Sequence, residues 1–124
     1  MTTLTLEKLD RKLTVCKLPD DVVFDRKSSF FFIAKTDEEF SLVCPTEETP
    51  SNIIAREDGW KAFRVQGPLD FSMTGILAKI SGILAENEIP IFAVSTYNTD
   101  YILVKQENFE KAAAILAEKG CSIL

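Results

Sequence analysis

The strongest constraint on the fold lies in residues 67–105, where two periodicities follow one another. Apolar side chains recur at helical spacing in residues 76–84, as expected of an amphipathic helix with one buried stripe. Pro90 prevents that helix from continuing. Residues 91–96 then predict a buried strand, and residues 101–105 predict a second strand that returns after a polar turn. A helix followed by a β-hairpin is therefore predicted.

The segments on either side extend this pattern to a complete order of elements. Residues 60–66 alternate as a strand before the helix. After the hairpin, a second helix is marked by apolar residues at helical spacing, namely Phe109, Ala112, Ala113 and Leu116. Gly120 ends that helix, and a short strand follows. Residues 60–124 thus predict the order βαββαβ, an α+β ferredoxin-like sandwich with two helices on one face of an antiparallel sheet.

The first half of the chain contains an imperfect copy of the hairpin. A shift of about 61 positions places Phe40 on Tyr101 and Leu42 on Leu103. The first helix is predicted to be lost or reduced in this copy, because residues 18–29 carry no sustained helical period. Two such domains in tandem are therefore predicted, the first with reduced helices.

The predicted boundary between the two domains lies at the end of the first copy. Residues 46–50 allow only a short helix before Pro50, and residues 52–56 predict a closing strand. Asp58 and Gly59 then predict a hinge. The domains are accordingly expected to be residues 1–59 and residues 60–124.

Composition excludes several classes of protein. The net charge is −5 and the basic residues are scattered, so no nucleic-acid partner is expected. No apolar run approaches the roughly 20 residues that span a bilayer, and the first residues do not resemble a signal peptide, so a cytoplasmic protein without a membrane partner is expected. The three cysteines are widely spaced and read as small buried side chains. A zinc site would need paired cysteine spacing or histidines, and the chain has no His, so no metal site is predicted. No P-loop or dinucleotide-binding fingerprint appears, so no cofactor is predicted.

The loop before the first helix of residues 60–124 is the first candidate binding site. The first turn of a helix offers free N–H groups and the positive end of the helix dipole, which suit a carboxylate. The alternative is an ordinary helix start, with Asp70 or Ser72 as the N-cap and nothing bound. The candidate residues of this loop are Asp70, Phe71, Ser72, Met73, Thr74 and Gly75.

The turn of the second hairpin is the other candidate. Asp100 has the charge to bind an ammonium or guanidinium group, Thr96 can form a hydrogen bond, and Tyr97 offers a ring face to a cation. The alternative is a turn composed of turn-forming residues with no ligand. The two candidate segments are expected near opposite ends of their strands, so one site would combine the loop of one unit with the turn of another.

A resemblance to a known family bears on both candidates. Residues 67–105, GPLDFSMTGILAKISGILAENEIPIFAVSTYNTDYILVK, resemble the ACT domain, the small-molecule-sensing module of aspartate kinases and other amino-acid enzymes. The resemblance is to stand-alone tandem ACT proteins related to the CASTOR arginine sensors. It implies that ligand binds at the loop of residues 70–75, and that Thr96, Tyr97 and Asp100 line an amino-acid pocket. Because no His is present to match relatives that use one, the ligand need not be arginine.

Together these observations predict a regulatory module that binds an amino acid and is not an enzyme. No general base, activated nucleophile or metal site is visible in the sequence. The alternative is a structural or interaction module that mediates dimerisation or docks to a metabolic enzyme without binding a ligand. The predicted partners are an amino-acid ligand, a second copy of the chain in a homodimer, and an unidentified enzyme. Exposed sheet edges and a stripe of small helical residues, Gly75, Ala78 and Gly82, favour the homodimer.

Overall fold

The structure is a computed structural model that describes residues 4–66 and 75–124. The described residues form eight strands, two α-helices and one 3-10 helix. The strands are β1 (Thr5–Lys8), β2 (Leu13–Lys17), β3 (Phe32–Lys35), β4 (Phe40–Pro45), β5 (Ala55–Val65), β6 (Phe92–Ser95), β7 (Asp100–Lys105) and β8 (Ser122–Ile123). The α-helices are α1 (Ile76–Glu86) and α2 (Gln106–Glu118), and the 3-10 helix is Thr46–Glu48.

The chain divides into two compact units. The N-terminal unit is Arg11–Trp60, and the C-terminal unit joins the residues up to Asp10 to Lys61–Leu124. Residues 4–10, predicted from sequence to belong to the first domain, therefore pack in the C-terminal unit. The physical reason is that Leu6 of β1 is fully buried in the core of that unit. The division of the two repeat copies into residues 1–59 and residues 60–124 stays a prediction.

The C-terminal unit confirms the predicted βαββαβ order, in the sequence β5, α1, β6, β7, α2, β8. Strand β1 is added between β5 and β8. It runs antiparallel to β5, with Leu6 opposite Val65, and parallel to β8, with Leu6 opposite Ile123. The α+β ferredoxin-like class is confirmed, and the unit carries one strand more than its own βαββαβ sequence supplies.

The core of the C-terminal unit lies between the sheet and the two helices. Phe63 of β5 stacks on Phe109 of α2, with ring centroids 4.5 Å apart. Ile80 and Leu84 present the buried stripe of α1, as the helical period predicts. We call the sheet face that packs on the helices the helix face. Its buried members include Leu6, Phe63, Val65, Ile102 and Val104.

Helix α1 begins later than the proposed caps imply. Its N-cap is Gly75, in the left-handed region at φ 79°, where glycine is favoured because it has no Cβ. Gly75 has no side chain, so the helix start lacks a side-chain cap. The prediction that Asp70 or Ser72 is the N-cap is therefore wrong, since both precede the N-cap position and lie outside the described residues.

The N-terminal unit is a small sheet with little helix, as predicted. Strand β4 pairs antiparallel with both β2 and β3, and the first part of β5 pairs with β2. Residues 11–60 are all described, and they contain no α-helix, only the 3-10 turn Thr46–Glu48. The prediction that this copy has reduced helices is confirmed.

Asp58 and Gly59, where a hinge is predicted, both lie inside β5, which runs through them as one strand. The two turn-forming residues coincide with an irregularity in the pairing of β5 with β2, where the register shifts between Leu13 and Val15. Gly59 has φ 84°, and Asp58 accepts hydrogen bonds from Arg56 Nε at 3.0 Å and from the buried Thr14 Oγ1 at 2.7 Å. These contacts hold the irregularity inside the strand.

The three cysteines are buried free thiols, as predicted. Cys16 lies on β2 and Cys44 on β4, and both belong to the small apolar cluster of the N-terminal unit. Burial, followed by the neighbouring Cys44, raises the pKa of the Cys16 thiol to about 11. Burial also raises the pKa of Cys44 and of Cys121. All three thiols are therefore held in the protonated, weakly nucleophilic form at neutral pH.

Candidate functional site

The turn between β6 and β7 is fixed to the end of β5. Thr96 and Thr99 close the turn through two hydrogen bonds to the Thr99 carbonyl, from the Thr96 N–H at 2.8 Å and from Thr96 Oγ1 at 2.9 Å. The buried Thr99 hydroxyl then donates to the Val65 carbonyl at 2.6 Å. Val65 is the last residue of β5, and the chain passes from Gln66 directly into residues 67–74.

This contact corrects the expected arrangement of the two candidate segments. They were expected near opposite ends of their strands, but β5 ends beside the hairpin turn. The reason is that α1 carries the chain back across the unit before β6 begins, so β5 and β6 both end on the same side. The loop entry and the turn thus lie at one end of one unit.

Residues around the turn divide between the two faces of the sheet. Asp100 shares the helix face with Ile102, because side chains alternate along β7. Its strand partner Ser95 donates from Oγ to Asp100 Oδ1 at 2.6 Å. Tyr101 points to the other face, which we call the second face, and Arg64 of β5 lies there with it.

A polar cavity of about 400 Å³ opens on the second face beside the turn. We call it the Arg64 cavity, and its lining residues are Glu7, Arg64, Val65, Gln66, Thr96, Asn98, Thr99 and Tyr101. Glu7 Oε1 accepts hydrogen bonds from Arg64 Nη2 at 3.1 Å, Arg64 Nε at 3.3 Å and Gln66 Nε2 at 2.9 Å. Arg64 Nη1 is 3.5 Å from the Tyr101 hydroxyl. Hydrogen bonding to Tyr101, and then to Glu7, raises the pKa of the Arg64 guanidinium further, so it stays charged.

The candidate residues predicted from sequence are not all brought together. Asp70, Phe71, Ser72, Met73 and Thr74 lie outside the described residues. Gly75 is the N-cap of α1. Thr96 lines the Arg64 cavity, whereas Tyr97 is 82% exposed, and neither Tyr97 nor Asp100 is among the lining residues.

Sequence reasoning missed the charged residues of the cavity. Glu7 follows the buried Leu6, and Arg64 lies between the buried Phe63 and Val65. This alternation places both on one face of a strand, but it does not show that the two strands are neighbours. The missing signal is the pairing of β1 with β5, which joins residues far apart in sequence.

Within residues 4–66 and 75–124, no group of three or more His, Cys, Asp or Glu side chains is placed to hold a metal ion. Neither of the described helices has the length and apolar character that crossing a membrane requires.

Comparison with known proteins connects the C-terminal unit to a family. The family model described as the ACT domain matches residues 55–118. The human cytosolic arginine sensor for mTORC1 subunit 1 is 29% identical over 98 residues, covering 73% of this chain. The chain spans 30% of the length of that curated relative.

Solved structures match over nearly the whole chain. Protein Atu0741 from Agobacterium tumefaciens is 32% identical with a TM-score of 0.87, covering 100% of this chain and 94% of that one. Aspartokinase III from E. coli, solved in complex with aspartate and ADP, matches with a TM-score of 0.59 and 14% identity, covering 93% of this chain and 32% of that one. At that identity the aspartokinase supports the fold alone.

Proposed function

Because the chain belongs to the ACT domain family, we propose that it is a non-catalytic regulatory module that binds a free amino acid. The family model covers most of the C-terminal unit. The name of the human relative describes a sensor of an amino acid. This name supports a class of ligand, and the amino acid for this chain is to be found by experiment.

The observation that carries the proposal is that β5, which leads toward α1, ends beside the hairpin turn that precedes Asp100. Asp100 lies on the helix face, at the residue where β7 begins. Strand β5 ends at this same end of the unit, next to the hairpin turn. Helix α1 begins at Ile76 without a side-chain cap. A free amino acid carries a carboxylate, which suits first-turn N–H groups, and an ammonium group, which suits Asp100. We therefore propose Asp70 to Gly75 and Asp100 as its two sides, with Thr96 and Tyr97 at the rim.

In this arrangement a single unit supplies both sides of the site. The loop entry and the hairpin turn lie at the same end, so a second unit is not needed to bring them together. This replaces the expectation that one site would combine parts of two units. The chain has no His, so we also propose that the bound amino acid is not turned over.

A thermal-melting experiment with Asp100→Asn tests the site. The substitution keeps an oxygen for the Ser95 hydroxyl but removes the charge proposed to bind ammonium. At about 100 times the Kd, ligand adds roughly 2.7 kcal/mol to the stability of the folded wild type. A rise of several degrees in Tm is expected for one of the twenty amino acids, and Asp100→Asn should remove it.

The matched control is Glu39→Gln. Glu39 holds the equivalent position in the first hairpin, and its Oε1 accepts a hydrogen bond from Ser41 Oγ at 2.8 Å. This variant should keep the full response to the amino acid. The site is refuted if no amino acid raises the wild-type Tm, or if both variants respond as the wild type does.

We propose in addition a cytoplasmic homodimer, with an unidentified enzyme as the regulated partner. Among the described strands β6 pairs only with β7, so its other edge is open to a second copy. The small-residue stripe of α1 is exposed, and a Cβ added at Gly75 or Gly82 would meet nothing within 4 Å. The same surfaces would serve the alternative function, an interaction module without a ligand.

Sedimentation velocity tests the assembly. We expect a species of twice the monomer mass at tens of micromolar protein. Gly82→Gln, which adds a long side chain to the exposed stripe, should shift the protein toward monomer if the stripe is the contact. A wild type that sediments as a monomer over this range would refute the homodimer. A dimer without any response to amino acids would favour the interaction module.

A further inference from the structure

The Arg64 cavity holds an incomplete charge network. Glu7 receives all three of its hydrogen bonds on Oε1. Within the part of the chain that the structure describes, Oε2 accepts none. One carboxylate oxygen is thus saturated while the other keeps its full capacity to accept a donor.

The guanidinium of Arg64 is similarly half used. It has five N–H donors, of which two bond Glu7 and a third is near the Tyr101 hydroxyl. The other two, one on Nη1 and one on Nη2, have no partner among the described residues, and these two nitrogens form the outer edge of the guanidinium. That edge has the geometry that binds a carboxylate through two parallel hydrogen bonds.

Arg64 and Glu7, which both keep hydrogen-bonding capacity, are held in place and are only partly exposed to solvent. The side chains of Arg64 and Glu7 are 36% and 37% exposed. The Tyr101 ring lies under the guanidinium, with its centroid 5.8 Å from Cζ, and limits where the fork can turn. A ligand therefore meets a largely pre-arranged pair of opposite charges, which reduces the ordering cost of binding.

We propose that the Arg64 cavity is a second small-molecule site, which takes the α-carboxylate and α-ammonium groups of a zwitterionic amino acid. The carboxylate binds the outer edge of Arg64, and the ammonium group donates to Glu7 Oε2. The cavity of about 400 Å³ is within the size range of small-molecule sites. Its lining has one cation and one anion, so it favours a neutral zwitterion over a singly charged ion. The Asn98 side-chain amide at the rim is available to the rest of the ligand.

This site is distinct from the one proposed at Asp100. The Arg64 cavity is on the second face of the sheet, whereas Asp100 is on the helix face and does not line the cavity. Thr96, which lines the cavity, is also placed at the rim of the Asp100 site, so the two sites are neighbours at the same turn. A chain with both sites binds two small molecules.

The experiment is an NMR titration of ¹⁵N-labelled full-length protein with glycine. Glycine has the two charged groups and no side chain, so it isolates the recognition proposed. The signals to follow are the Arg64 Nε–H and the side-chain amides of Gln66 and Asn98. We expect all three to shift and saturate with glycine. N-acetylglycine lacks the ammonium group and glycinamide lacks the carboxylate, so each should leave these signals unmoved, as should sodium chloride at matched ionic strength.

Three variants sharpen the result. Arg64→Lys keeps the charge but loses the fork, and Glu7→Gln keeps the size but loses the charge; each should weaken glycine binding about tenfold or more. If one of them fails to fold, the other carries the test. Arg56→Lys alters the exposed Arg56–Asp58 pair of the N-terminal unit and should bind glycine as the wild type does.

The outcomes separate this proposal from the function proposed above. Shifts with N-acetylglycine equal to those with glycine would overturn it in favour of a simple anion site. Unmoved Arg64, Gln66 and Asn98 signals at the highest glycine concentration would also overturn it. If Ser95 and Asp100 respond to an amino acid while these signals do not, the function at Asp100 stands and the second site fails. If the Arg64 group responds to glycine while none of the twenty amino acids shifts Ser95 or Asp100, the second site stands and the Asp100 site fails.

Discussion

A fragment of residues 60–124 is expected to show no cooperative unfolding transition, although it contains every element of the βαββαβ order. The fragment lacks β1, which lies between β5 and β8 and pairs with both. Removing it leaves backbone groups of both neighbours without partners and removes the fully buried Leu6 from the core. Thermal melting followed by far-UV circular dichroism measures the transition.

The control restores the missing strand in the same fragment. Residues 1–10 joined to residues 61–124 by a flexible Gly/Ser linker reproduce the C-terminal unit and should melt cooperatively. If the fragment without β1 melts as sharply and at the same midpoint as the linked one, β1 contributes nothing essential and the prediction is contradicted.

Phe63→Ala is expected to reduce the free energy of unfolding by about 3–5 kcal/mol, a large part of the stability of a typical domain. Phe63 is fully buried and stacks on Phe109 at 4.5 Å, so truncation leaves a cavity at the contact between β5 and α2. Equilibrium urea unfolding of the full-length chain measures the loss.

Phe32→Ala is the matched control for this loss. Phe32 begins the edge strand β3 and is only half-buried, so the same truncation removes less buried surface there. A substantially smaller loss is expected. Equal losses in the free energy of unfolding at the two positions would show that the Phe63–Phe109 stack contributes no more to stability than the half-buried Phe32 does.

The elements that sequence predicted well are those specified by neighbouring residues. The apolar stripe that includes Ile80 and Leu84 gives α1 its period, and turn chemistry between residues 96 and 99 closes the second hairpin. Such signals arise within one helical turn or one β-turn, so they can be read without knowing the fold. The family resemblance rests on the same stretch, and the matching family model includes it from residue 67 to residue 105.

The features that sequence missed depend on residues brought together from a distance. The strand β1 shows nothing in its sequence that assigns it to the C-terminal unit rather than to its neighbour β2. Asp58 and Gly59 look like a hinge, yet Thr14 and Arg56 hold Asp58 inside β5. The cavity of Glu7 and Arg64 exists only once β1 and β5 are paired.

The expected separation of the two candidate segments had a different cause. That expectation did not take into account that α1 carries the chain back along the sheet before β6 begins. With that helix included, β5 and β6 end on the same side, where Thr99 contacts Val65. The part of the candidate site in residues 70–74 lies outside the described residues and stays a proposal.

Strand β1 is synthesised before both of its partners, β5 and β8. Thr5 of β1 pairs with Ser122 of β8, roughly 120 residues later in the sequence. At about 5–20 residues per second, β1 waits roughly 5–20 s for this partner. The N-terminal unit can complete its own strand pairings in the meantime, so synthesis imposes an order in which it forms first and the C-terminal unit closes around β1 last. Until then the apolar side of β1, with Leu6, is exposed to chaperones and to other nascent chains.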